Sequence, residues 1–261
     1  MTIEYIKKNI VMILVIVLSL MFLSAQTVML LGYRYIKLDC GVKFFGKVDS
    51  EGYPVSGKLW YPDGKSGNAD TSSGTVEFSD GSVYTGEMYG LLRHGNGVMK
   101  FSDGSIYKGA FSEDKMNGAG FYEKPNGEKY SGSFVDGKIS GYGSCIYSDG
   151  SMYTGNFDNG RKSGKGTLKY ADGGIYDGYF VNNLKEGNGT FVFANGDSYS
   201  GAFHGDVMQG YGTYSWAIGI KYAGDFKDDK PCGTGTLYFH DGNVVQGSFD
   251  IIDGKLVKRE G

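Results

Sequence analysis

Four prolines, three cysteines and three histidines in 261 residues leave little material for several familiar devices. A collagen-like triple helix needs glycine at every third position and far more proline, so that class is excluded. Basic residues are not in surplus either. The formal net charge is -3, and residues 1–43 hold five of the 26 Lys/Arg and only two of the 29 acids. The remainder carries 21 basic against 27 acidic side chains, which gives no support to nucleic-acid binding. What is abundant is glycine, 45 residues or about 17% against a usual share of roughly 7%, together with 21 Tyr and 16 Phe. Disordered linkers are depleted in aromatics. Glycine paired with aromatics points instead to a regular architecture in which large rings need space beside them.

The N-terminus is a different material. Residues 1–9 are short and basic, and residues 10–31, IVMILVIVLSLMFLSAQTVMLL, carry no charge. Twenty-two helical residues rise about 33 Å, enough for a bilayer core of about 30 Å. A single-pass transmembrane helix is therefore expected at 10–31, with a juxtamembrane linker at 32–43. A secretory signal peptide is the competing reading. Cleavage after Ala25 would place Leu23 where a small residue is wanted, and the apolar run continues beyond it. The side of the membrane stays open: Arg34, Lys37, Lys43 and Lys47 after the span favour a cytoplasmic body, whereas a short Lys-bearing start suits an exported one.

Downstream the chain repeats itself. Tyr84, Tyr107, Tyr130, Tyr153, Tyr176, Tyr199 and Tyr222 are each 23 residues apart, and Val245 takes the next place. Two residues after each stands a glycine, as at Gly155 and Gly178, and two further on a Phe (Met88 in the first unit). A Gly-x-Gly pair follows, as at Gly164/Gly166, and nearly every unit closes on Asp-Gly or Asn-Gly. The run GRKSGKGT at 160–167 has the look of a phosphate-binding loop, but it lacks the spacing of one and is the middle of such a unit.

Both Tyr-x-Gly-x-Phe and Gly-x-Gly-x-apolar-x-aromatic have a period of two, the signature of strands with one buried face. Asp136-Gly137, Asn159-Gly160 and Asn182-Asn183 tolerate positive φ between the strands of a unit, and Asp149-Gly150 and Asn195-Gly196 are short-hairpin signals between units. The fold expected is an all-β array, an elongated antiparallel hairpin meander. Residues 44–83 form degenerate units or an N-terminal cap, 84–249 seven units and a final half unit, and 250–261 a closing strand and tail. Glycines inside strands weaken them. Here each is expected to leave a notch for a ring, whose burial is worth about 1.5–3 kcal/mol against roughly 1 kcal/mol of lost strand propensity.

Tyr-x-Gly-x-Phe … Gly-x-Gly … Asp-Gly at a 23-residue period resembles the MORN repeat, a family of antiparallel hairpin arrays. The resemblance implies membrane association, contact with lipid headgroups, self-association or scaffolding of partner proteins. It offers no catalytic residue to carry over, and with repeats reaching residue 249 no catalytic domain and no cofactor are expected.

The remaining candidates are weighed on that frame. His94, His204 and His240 fall at different places in their units, so repetition does not align them. One Asp per unit beside a glycine is turn chemistry rather than the six to eight oxygens calcium requires, and no clustered ligands suit zinc. Cys145 and Cys232 lie four units apart, about 38 Å on strand spacing, too far to be bridged. The aromatic face is the main candidate for binding: Tyr107, Phe111, Tyr130, Phe134, Tyr153, Phe157, Tyr176, Phe180, Tyr199, Phe203, Trp216, Tyr222 and Phe226. Either these rings are the core, packed on glycines and on one another, or they leave a groove for a partner helix, peptide or lipid. A protein partner or a second copy is the first expectation and a phospholipid headgroup the second. A third is an exported protein whose aromatic repeats grip carbohydrate.

Overall fold

The computed structural model describes Met21, residues 25–252 and residues 255–259. Most of the span expected at 10–31 lies outside these. Residues 25–30 are helical, and among the described residues no helix is long and apolar enough to cross a membrane. Among the described residues the rest is β-structure, in twenty-one strands joined by turns, and the chain divides into two compact units.

The first unit, residues 1–104 with 111–114, holds β1 (Tyr33–Lys37), β2 (Lys43–Val48), β3 (Pro54–Trp60), β4 (Ser66–Asp70), β5 (Thr75–Phe78), β6 (Val83–Tyr89) and β7 (Leu92–Lys100). Residues 32–43, expected as a linker, carry β1, which pairs with β2 over five residues and sets Tyr33 against Phe45 at 5.9 Å. An open edge on β2 is thereby closed, which the linker reading did not foresee. Gly46 faces Gly57 across β2 and β3, and buried Phe44 lies over the pair as a tyrosine does in later units.

The second unit, residues 105–110 with 115–261, holds the start of β8 (Ile106–Ser112), β9 (Lys115–Glu123), and then six hairpins. These are β10 (Lys129–Val135) with β11 (Lys138–Ile146), β12 (Met152–Asp158) with β13 (Arg161–Lys169), and β14 (Ile175–Val181) with β15 (Leu184–Val192). They continue as β16 (Ser198–His204) with β17 (Val207–Ser215), β18 (Lys221–Lys227) with β19 (Lys230–Tyr238), and β20 (Val244–Ile252) with β21 (Lys255–Lys258). From β9 onward each strand pairs antiparallel with the next.

The two turns of a unit differ. Within a hairpin both central residues have positive φ, as at Asn182 (49°) and Asn183 (77°), the mirror-image turn that matches strand twist. These tips also tie neighbours together: the Asn183 N–H donates to the Lys162 carbonyl at 3.0 Å, while its Oδ1 accepts from the Lys162 N–H at 2.8 Å. The Asp-Gly between hairpins is not a two-residue turn of that kind. At Asp149-Gly150 only the glycine is left-handed (89°), the Gly150 N–H donates to the Tyr147 carbonyl, and Asp149 Oδ1 accepts from the Ser151 N–H at 2.8 Å. The aspartate is there for its side chain, and the glycine for its backbone.

The glycines likewise split into two jobs. The first of each Gly-x-Gly pair has positive φ (64° at Gly164), and the pairing slips across it: Gly155 faces Gly166, whereas Phe157 faces Lys162. That bulge was not legible in the alternation. The second glycine makes the notch. A Cβ on Gly166 would come within 2.4 Å of Tyr153 Oη and 2.5 Å of its ring. The ring lies flat on the Gly155/Gly166 pair and meets Phe157 and Phe180 edge-on, at 5.0 and 5.2 Å. Phe157 in turn meets Tyr130 at 5.3 Å, so each Phe joins two units. Edge-to-face pairs add about 0.5–1.5 kcal/mol apiece beyond their buried area.

The bulge also explains why the first ring is Tyr and not Phe. It frees a carbonyl three residues on, and the phenol donates to it: Tyr153 to Asn156 O at 2.9 Å, Tyr107 to Ala110 O at 2.8 Å, Tyr199 to Ala202 O at 2.9 Å. Tyr153→Phe strands that carbonyl under a ring and is expected to cost about 1–2 kcal/mol. Denaturant unfolding monitored by circular dichroism checks this; an unchanged midpoint would mean water replaces the phenol.

Candidate partner-binding face

In the second unit the ring face is sealed along its centre. Tyr107, Tyr130, Phe134, Tyr153, Phe157, Tyr176, Phe180, Tyr199, Phe203, Tyr222 and Phe226 are each no more than 6% exposed, and Phe111 of the first unit is buried too. Of the two readings, core or groove, these rings form core, because Phe edges and glycine notches together close each tyrosine. Of the residues singled out on sequence, Trp216 remains half-exposed.

Trp216 belongs to a second row on the same face, one strand end away. Tyr147, Tyr170, Phe193, Trp216 and Phe239 recur every 23 residues and are all half-buried. Two further rings, Phe191 and Tyr214, turn part of this row into a continuous chain. Centroid distances run from Tyr170 to Phe191 (5.4 Å), Phe193 (4.3 Å), Tyr214 (5.7 Å) and Trp216 (4.9 Å). Phe191 and Tyr214 stand where Leu168 and Leu237 stand in other units. An aromatic in that apolar slot was the available signal.

Asp197 fixes one end of the chain. It is buried, accepts from the Ala217 N–H and the Tyr214 hydroxyl at 2.8 Å each, and is held below the usual carboxylate range first by the Ala217 N–H. Burial in turn pushes the Tyr214 phenol up, so this pair stays one donor and one acceptor at neutral pH.

Two ammonium groups border the row. Lys185 Nζ lies 4.9 Å from the Phe191 centroid and within 5.9 Å of Tyr170, Tyr176 and Phe203, and Lys162 Nζ lies 5.3 to 5.8 Å from Phe180, Tyr147 and Tyr153. Burial lowers both amines below the ordinary lysine range. Their repeat equivalents are Met116, Ile139, Met208 and Pro231 in the second unit and Arg93 in the first, so the stems fill a largely apolar slot while the charge rests on ring faces.

His204 Nδ1 pairs with Glu186 at 2.8 Å on the surface, and His94 leans on Tyr89. Among the described residues no cluster of His, Cys, Asp or Glu is suited to a metal ion. Cys145 and Cys232 are free thiols that burial pushes up, away from the reactive thiolate.

The family match agrees with the hairpin array. The family described as MORN repeat matches seven consecutive stretches, 84–106, 107–129, 130–152, 153–175, 176–198, 199–221 and 222–244. No curated protein sequence matches the chain. Among solved structures, the TCP10 domain of Danio rerio CPAP, in complex with a STIL peptide, is 12% identical, with 87% of this chain and 99% of that one covered and a TM-score of 0.40. The TCP10c domain of Drosophila melanogaster Sas-4 is 13% identical over 82% and 97%, at 0.27. A streptogramin B lyase is 9% identical over 82% and 81%, at 0.18. Likenesses this distant say nothing of what this chain binds.

Proposed function

Since the chain belongs to the MORN repeat family, we propose that it is a non-enzymatic scaffold that holds a protein partner on the aromatic row of its second unit. The observation that carries this reading is the unbroken chain from Tyr170 to Trp216, half-exposed yet fixed by Asp197. Tyr and Trp dominate the energetics of protein interfaces, and rings already held in place lose little freedom on binding. The apolar run 10–31 is proposed to keep the scaffold at a membrane.

Affinity capture with the full chain tests this. Phe193→Ala with Trp216→Ala is expected to remove the bound partner, truncation of two central interface rings costing at least about 2 kcal/mol, or some thirtyfold in affinity. Differently tagged copies in the same experiment detect self-association. A partner list unchanged by the double variant would move the interface elsewhere.

A further inference from the structure

The opposite, polar face of the second unit carries a pattern that the 23-residue repeat does not produce. Tyr142, Tyr179 and Tyr211 project from β11, β14 and β17 and are 64%, 52% and 68% exposed. They stand three strands apart, about 14 Å at roughly 4.8 Å per strand, whereas the repeat returns every two strands. Tyr142 and Tyr211 lie between the paired glycines of second strands, while Tyr179 lies between Gly178 and Phe180 of a first strand. Two different repeat positions therefore supply one spacing, and inheritance from the repeat does not account for it.

Between Tyr179 and Tyr211 lies an open cleft of about 410 Å³. Its floor is glycine backbone with the short polar side chains of Asn188, Thr190, Ser200 and Thr213. Thr190 Oγ1 donates to Ser200 Oγ at 3.3 Å. The charged lining is one Lys165 and one Asp177, and a carboxylate oxygen of Asp177 already accepts from the Thr167 hydroxyl at 2.7 Å.

We propose that this cleft binds a neutral saccharide. A sugar ring presents an apolar C–H face and a rim of hydroxyls. The two phenol rings complement the first, and the amide and hydroxyl floor complements the second. The volume falls within the roughly 300–1,000 Å³ of small-molecule sites. The charge balance suits an uncharged ligand; an anionic headgroup would draw a basic cluster. An extended peptide needs a free sheet edge or apolar side-chain pockets, and here the backbone groups are spent in the ladder between β14 and β17. The site lies on the opposite face from the aromatic row, so it stands or falls independently of the protein partner.

Electrophoresis of the full-length chain through gels containing hydroxyethylcellulose, glycol chitin, galactomannan or soluble starch tests the proposal. Retardation by at least one polymer is expected. Tyr179→Ala and Tyr211→Ala are each expected to weaken it at least tenfold, Tyr179→Phe to keep it, and Trp216→Ala to leave it unchanged. Circular dichroism of each variant confirms the fold. No retardation in any of the four gels, or equal retardation of the folded Tyr179→Ala/Tyr211→Ala double variant, would overturn the proposal.

Discussion

Gly166→Ala is expected to destabilise β12 and β13 by about 3–5 kcal/mol, although it adds a single methyl group. The methyl would stand 2.4 to 2.6 Å from the oxygen and ring carbons of Tyr153. That ring has nowhere to go: Phe157 and Phe180 hold it edge-on, and its hydroxyl is bonded to Asn156 O. Displacing it forfeits a hydrogen bond and two ring contacts together. The neighbouring Gly164→Ala is the informative contrast. Its Cβ would meet only the side chain of Asn156, at 3.5 Å, but its φ of +64° strains any other residue, for about 1–2 kcal/mol. Lys169→Val, on an exposed side chain, is expected within about 0.5 kcal/mol of the parent. Amide hydrogen exchange across residues 152–169 measures all three locally, which matters in an array whose units need not unfold together.

Raising the pH is expected to unfold the array steeply, at a point set by its tyrosines. Burial pushes the phenols of Tyr84, Tyr107, Tyr153, Tyr199 and Tyr222 up to about 12, and all five rings are shut off from solvent. In the unfolded chain they ionise near pH 10. Between these limits the folded state binds more protons than the unfolded one, so stability falls as pH rises. The contribution is complete below about pH 10 and is lost through about pH 12, each phenol removing up to about 1.4 kcal/mol per pH unit. Lys162 and Lys185 act in the opposite sense. Their amines are lowered by burial, so their share of stability grows toward the unfolded lysine value. Two lysines do not offset five tyrosines. Circular dichroism against pH, with tyrosinate absorbance in parallel, is expected to show ellipticity and most ionisation changing together between about pH 10 and 12. Gradual ionisation with the ellipticity intact would show that the rings open without unfolding.

The period-two alternation and the 23-residue spacing were enough to read the hairpins and the ring-and-glycine face. What they could not show depends on pairing between strands. The slip between Gly155 and Phe157 exists only once β12 lies beside β13, and with it come the freed carbonyl and the need for a phenol. The sequence also assigned one purpose to both glycines of Gly-x-Gly, where the structure separates a bulge at Gly164 from a notch at Gly166. Closure of the ring face was one of two readings, and the contact that decides between them was not legible. It arises when Phe180 of one unit reaches Tyr153 of the one before, a contact across 27 residues. Tyr142 and Tyr211 share one place in units 69 residues apart, but Tyr179 between them holds a different place, so the residue period does not gather the three.

A double-mutant cycle between Gly166→Ala and Tyr153→Ala asks whether the ring is the reason for the glycine. With the ring removed, the added methyl meets open space, and Gly166→Ala is expected to cost less than about 1 kcal/mol in that background, nearly all of its cost being coupling. Equal cost with and without Tyr153 would show that the glycine serves something other than the ring, and the nesting account of the array would be wrong.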